Sequence, residues 1–483
     1  MDERSDNPLS TRNPSCRTQR GRSRSLPWRS VWPRLLVVAG CIALIVQGIR
    51  IIERPQGDFP GHWESGRRIA AGEPLYAPTE GGDPRGHNYP YPPSWAMAHA
   101  PVSFLPLDVA QVVVFPMFIL SFWQLLRVLR RMTDLRWPLS SDTELLVAAV
   151  AGFLTSRYLV RDMLECGVNL LLVTLAWTSL WLWQQHRDRL AGWVLGLAIA
   201  LKCTPGLFAA YFVWKRQWRV VGWTVTATAV FLLAPALLLG PSRYISTTSE
   251  WLQNAVVRTA VKTNGISGVL GVEPIQNMSL KPALMRYLVH VPPNHAIRRK
   301  GLYRIDFLDF PRSVAKTIAR LAPFALLALV AFCFRTRVQQ RDDPRLTWEF
   351  ASVSVLILLL SPITWGQHCV GLFPAFYLLK RREEHGDPAP RWINGVLWAF
   401  IIGVLILNRG ILGKQMALTM DSYWVQTWLI VAVLITLVDA HRRHQPLTGL
   451  NKPNSVSLAD QQHPTSLPLS DAESTGNVNH KAA

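Results

Sequence analysis

Apolar residues along this chain come in long unbroken runs rather than at helical or strand spacing, and short basic segments separate the runs. A helix that crosses a bilayer needs about 20 mostly apolar residues, and basic residues gather on its cytoplasmic side. Runs of this kind lie at 35–52, 107–126, 144–160, 168–183, 222–239, 314–334, 348–363, 370–379, 393–407 and 424–438. Arg127, Arg130, Arg131 and Arg136 follow the second of them, His186 to Arg189 the fourth and Lys380 to Arg382 the eighth. The apolar stretch 190–214 is the exception. As one crossing it would place Lys215, Arg216 and Arg219 outside, and Lys202-Cys203-Thr204-Pro205 interrupts its centre. A proline beside a charge is where a helix breaks, so two short helices are expected to meet near Lys202, both starting from the cytoplasmic side.

The pattern predicts an all-α polytopic membrane protein of about ten full transmembrane helices plus that broken, re-entrant pair, with short amphipathic helices in the outer loops. Residues 1–30 read as a disordered basic cytoplasmic tail, 31–444 as the transmembrane domain and 445–483 as a second disordered tail. Both termini are expected in the cytoplasm, and the loops 53–92 and 241–312 outside.

The first outer loop is dense in chemistry. Between Gly57 and Trp95 it carries acids, aromatics and prolines where a connector is usually short and bland. Asp58-Phe59-Pro60 reads as the start of a short helix carrying Trp63, Arg67 and Ile69, so Asp58 is either a helix cap or a functional acid.

Composition sharpens this reading without changing it. The chain has 483 residues, 49% hydrophobic and 17% charged, with 20 Trp and a net charge of +20. The basic residues flank apolar runs instead of lining one soluble face, which argues for membrane topology and against a nucleic-acid partner. Six cysteines are scattered without CxxC or His-rich spacing, so neither a zinc site nor a disulfide framework is indicated.

Four segments together resemble glycosyltransferase family 87, the polyprenyl-phosphate-mannose-dependent mannosyltransferases of the GT-C superfamily. They are Gly57-Asp58-Phe59 with Gly72-x-Pro74-Leu75-Tyr76; Tyr89-Pro90-Tyr91-Pro92-Pro93; Gly167-Val168-Asn169 followed by Arg189-Leu190-Ala191-Gly192 and Lys202-x-Thr204-Pro205; and Ser361-Pro362-Ile363-Thr364-Trp365 ending in His368. Cys166, and Gly366-Gln367 before His368, depart from the family pattern. The resemblance implies a GT-C type fold and an inverting transferase of a bacterial plasma membrane, with no cofactor. It also implies an acid in the first outer loop as catalytic base, where Asp58 stands, and a lipid-phosphate sugar donor.

Such chemistry needs a carboxylate to take the acceptor's proton and cations to hold the leaving phosphate. Candidates for the phosphate are Lys202, His368, Arg67 and Arg68, with Lys202 also readable as a snorkelling side chain and His368 as a hydrated span end. Glu64, Tyr89, Tyr91, Asn169 and Asn277 are candidates for the sugar or acceptor, and Glu64 and Asp83 for a second acid. Tyr89, Tyr91 and Trp95 could stack on sugar, but read first as an interfacial aromatic belt. No metal site is expected. Partners are then a polyprenyl-phosphate sugar donor, a lipid or glycan acceptor and membrane lipid. The competing class is a transporter or flippase, which should show two related halves with corresponding broken segments.

Overall fold

The structure is a computed structural model that describes residues 28–53, 57–76, 91–253, 277–290, 308–386 and 390–443. The two expected tails, except for residues 28–30, lie outside the described residues, as do Asp83, Tyr89 and most of 241–312. Among the described residues every regular element is helical. The helices begin with α1 Trp28–Glu53, α2 Phe59–Ala71, α3 Pro93–His99, α4 Leu107–Val114, α5 Pro116–Thr133, α6 Ser141–Leu164, α7 Val168–Gln184, α8 Asp188–Leu201, α9 Gly206–Trp214 and α10 Trp218–Leu233. After α10 the principal helices are Pro241–Trp251, Leu280–Leu288, Arg312–Cys333, Arg345–Leu360, Phe373–Glu384, Arg391–Phe400, Arg409–Ser422 and Val425–Arg443.

Six helices among the described residues are long and apolar enough to cross a membrane, or seven if the bent pair Arg391–Ile406 and Arg409–Ser422 counts as one span. That is fewer than the ten crossings read from the sequence, and the reason is physical. Residues 348–363 and 370–379 are apolar because they are sheathed by protein. The helix Arg345–Leu360 has 16 residues and is buried at nearly every position from Leu346 to Leu359. By contrast, α1 exposes Leu35, Val38, Ile42, Ile45 and Ile49, as a lipid-facing span does.

The break at Lys202 is present. Helix α8 stops at Leu201, Lys202 is extended at φ −154° and ψ 128°, and α9 starts after Pro205. Close packing holds α8 in place: a Cβ on Gly196 would lie 2.6 Å from Ala227 Cβ of α10, so the Gly192-x-x-x-Gly196 face lets the two backbones approach. A second break, a bend of 98° between Ile406 and Arg409, had no proline to announce it.

Buried charge knits one end of the helix bundle. Arg381 is fully buried and donates to Asp134, Glu144 and the Trp137 carbonyl. Arg341 pairs with Asp188 at 2.5 Å. Lys215, 4% exposed, pairs with Glu349 at 2.7 Å, and Glu349 also accepts from Tyr211 and meets His441 Nε2 at 3.0 Å. The candidate site residues described next lie at the opposite ends of α6, α7 and α8.

Candidate functional site

Asp58 is set by a turn only glycine can make. Gly57 sits at φ +73°, and a Cβ there would lie 2.5 Å from Glu165 Oε2. The Asp58 N–H donates to that same Glu165 oxygen, and the Asp58 carbonyl starts α2 by accepting from Gly61 and His62 at 3.0 and 3.2 Å. The Asp58 carboxylate makes no capping bond to α2. It is exposed and lines a cavity of about 540 Å³ shared with Arg157, Arg161, Trp365, Gln367, Asp421 and Gln426, among others. Of the two readings of Asp58 from sequence, the geometry removes the side-chain cap.

Glu165 lies just past the end of α6, 2% exposed. Burial, and after it the charge of Asp58, pushes its carboxyl up to about 7. Its second oxygen is buried without a hydrogen bond, with Arg161 Nη2 at 3.8 Å.

A second polar group stands beside this one. Buried Asp162 caps α7 by accepting from the Asn169 and Leu170 N–H groups at 3.2 and 3.0 Å and from Asn169 Nδ2 at 2.8 Å. That fixes Asn169 Oδ1 as the acceptor for Lys202 Nζ at 3.0 Å, and Lys202 Nζ reaches His368 Nε2 at 3.1 Å. The Trp365 N–H points at His368 Nδ1 from 3.1 Å. A neutral imidazole accepts at one nitrogen only, so these two contacts to donors cannot both be full hydrogen bonds. An anion between Lys202 and His368 would relieve the conflict.

The wall behind Lys202 is aromatic. Its ammonium lies 5.6 Å above the Tyr91 ring, which stacks on Trp95 at 5.0 Å and 22°. Trp95 is 2% exposed and donates to His62 Nδ1 at 3.1 Å, so it belongs to the interior and not to an interfacial belt. Burial, with the charges of His99 and Lys202, holds His62 well below the usual imidazole range.

The remaining sequence candidates among the described residues are held by partners of their own. Glu64 pairs with Arg67 at 3.0 Å and Arg68 at 2.8 Å, and Arg67 also reaches Glu73 at 2.8 Å, so these charges answer one another along α2. Asn277 ties together backbone: its Oδ1 accepts from Thr364 and Ser279, and its Nδ2 donates to the Pro362 carbonyl. No group of three or more His, Cys, Asp or Glu among the described residues is placed to hold a metal. Sequence reasoning missed Asp162, Glu165, Arg157, Arg161 and Asp421. A charge inside an apolar run, as at Arg157, was the available signal.

Comparison with known proteins bears on the family of the chain. The model of glycosyltransferase family 87 matches residues 89–362. A polyprenol-phosphate-mannose-dependent alpha-(1-2)-phosphatidylinositol mannoside mannosyltransferase of Mycolicibacterium smegmatis is 27% identical over 473 residues, covering 89% of this chain and 96% of the relative. A polyprenol-phosphate-mannose-dependent alpha-(1-2)-phosphatidylinositol pentamannoside mannosyltransferase of Mycobacterium tuberculosis is 25% identical over 322 residues, covering 65% of this chain and 64% of the relative. No solved structure matches the chain.

Proposed function

This chain belongs to glycosyltransferase family 87, and from that premise we propose that it moves mannose from a polyprenyl-phosphate donor to a lipid-anchored or glycan acceptor on the outer face of the bacterial plasma membrane. What supports the donor and the sugar is the activity for which the two relatives are named. What carries the mechanism is the Asp58 carboxylate, free of its helix and open to a cavity, with the Lys202–His368 pair nearby.

In the proposed step Asp58 takes the proton of the acceptor hydroxyl as that oxygen bonds to the anomeric carbon. The bond from that carbon to the phosphate oxygen breaks on the opposite face, its electron pair leaves with the phosphate, and the configuration inverts. A phosphate is a weak base, so it needs cations and not a proton donor. Lys202 supplies the positive charge, and His368 beside it offers a ring N–H. Asn169 aims Lys202, and Asp162 aims Asn169. Tyr91 backs the ammonium, while Arg67 and Arg68 are engaged by Glu64 and Glu73 and support α2.

The test is transfer of labelled mannose from polyprenyl phosphate by the purified protein. Asp58→Asn should lower turnover by about a hundredfold or more with insertion intact. Lys202→Met should raise the KM for donor. Near-normal turnover in Asp58→Asn would move the base elsewhere.

A further inference from the structure

The cavity beyond Asp58 is lined by charged, amide and aromatic side chains drawn from several elements. Trp365 and Gln367 come from the segment after Arg345–Leu360, Asp421 from the end of Arg409–Ser422, Gln426 from the start of Val425–Arg443 and Arg157 from α6. Planar amides, a carboxylate and an indole on converging walls are the side chains that read hydroxyls and cover the apolar face of a sugar ring.

Their hydrogen bonds are prearranged. Tyr158 OH donates to Gln426 Oε1 at 3.0 Å, and Gln426 Nε2 donates to Asp421 Oδ1 at 3.2 Å. This chain orients Asp421 and leaves its second oxygen without a hydrogen bond from any described residue. Arg157 is anchored by one nitrogen to the Val404 carbonyl at 3.1 Å and faces the same space. A cavity of about 540 Å³ also has the size of a small-molecule site, and Asp58 stands on its wall.

We propose that this cavity is the acceptor subsite, and that it takes a hexose ring, with Trp365 under the ring and Asp421 and Gln426 on its hydroxyls. The inference rests on the proposed function, since it sets the acceptor's sugar in the cavity that Asp58 lines. It narrows the acceptor to a glycan-bearing molecule and makes Asp421 a determinant of specificity. Asp58 and the subsite then hold one hydroxyl between them.

Binding can be read without turnover. Saturation-transfer NMR with methyl α-mannopyranoside should show contact to the purified wild-type protein, and Asp421→Asn and Trp365→Ala should each reduce it at least fivefold. Asp421→Asn keeps the side chain's size, so a folding defect is separable by its melting curve, and Trp365→Ala is a second probe on another segment. Polyprenyl phosphate should leave the mannoside signal unchanged. In the transfer assay both variants should raise the KM for acceptor at least tenfold and leave the KM for donor in place. Absence of mannoside binding to wild type, unchanged binding in both folded variants, or displacement by polyprenyl phosphate would each overturn the assignment. Failure of wild type to transfer labelled mannose would sink the proposed function alone, because the binding arm does not depend on it.

Discussion

Glu165 shows how one side chain sets the position and the electrostatics of another. Its carboxylate holds the Asp58 backbone from beneath, yet it is buried beside the acid it supports. The carboxyl ionises at about 7 in the folded protein against 4.5 for the free group, chiefly through burial. Between those values the folded state binds more protons than the unfolded one. The contribution to stability is therefore full below about pH 4.5 and is lost as pH rises through about 7. Wild-type protein in detergent should lose unfolding free energy from pH 5 to pH 8 relative to Glu165→Gln, by about 3 kcal/mol at most, read from melting curves. Parallel melting curves across that range would show that burial does not disfavour the charge. Nothing in the sequence near Glu165 announces this role, because its partner is 107 positions away. Asp58 and Lys202 were legible for the opposite reason: each is a charge whose immediate neighbours, a Pro or an apolar run, make it conspicuous.

At the scale of elements, the broken pair α8 and α9 has to be held at both ends. Lys202 ties the apex to α7 and to the turn at His368, while Lys215 ties the base to Glu349 and to the carbonyls of Phe334 and Thr336 at 2.7 and 2.9 Å. The break was readable from Lys202 and Pro205, since proline removes a backbone donor wherever it falls. The bend after Ile406 was not, because Asn408 makes it by accepting from Gly410 N–H and breaking the helix with its own side chain. The base of the hairpin supplies a stability prediction. Removing one member of a buried charge pair strands the other, so Glu349→Leu should cost about 3 to 5 kcal/mol in chemical or thermal unfolding. Lys215→Met added to Glu349→Leu should recover part of that loss, since the apolar pair leaves no charge unpaired. Strictly additive losses in the double mutant would mean that Lys215 is satisfied by its two carbonyls alone.

For the whole molecule, the basic segments converge on one end by direct contact and the candidate chemistry collects at the other. Arg381 meets the Asp134–Trp137 turn, Arg341 meets Asp188 beyond α7, and Lys215 meets both Phe334 and Glu349, which in turn holds His441. At the far end Glu165 meets Asp58, Lys202 meets His368, and Arg243 donates to the Gly72 carbonyl at 3.1 Å. The sequence could show this polarity, because positive residues mark one side of a membrane whatever the packing. It could not show how many runs face lipid, because a sheathed helix such as Arg345–Leu360 is as apolar as a span. On the positive-inside tendency we propose that the basic end faces the cytoplasm and the Asp58 end the outside. In a cysteine-free background, Arg243→Cys should react with a membrane-impermeant maleimide applied to intact cells, and Arg216→Cys should react only after the membrane is opened. Arg216 is a suitable probe because it ends the broken pair, so a single-crossing reading of 188–214 would expose it instead. Labelling of Arg216→Cys from outside with protection of Arg243→Cys would overturn this orientation, through either an inverted molecule or a single crossing at 188–214.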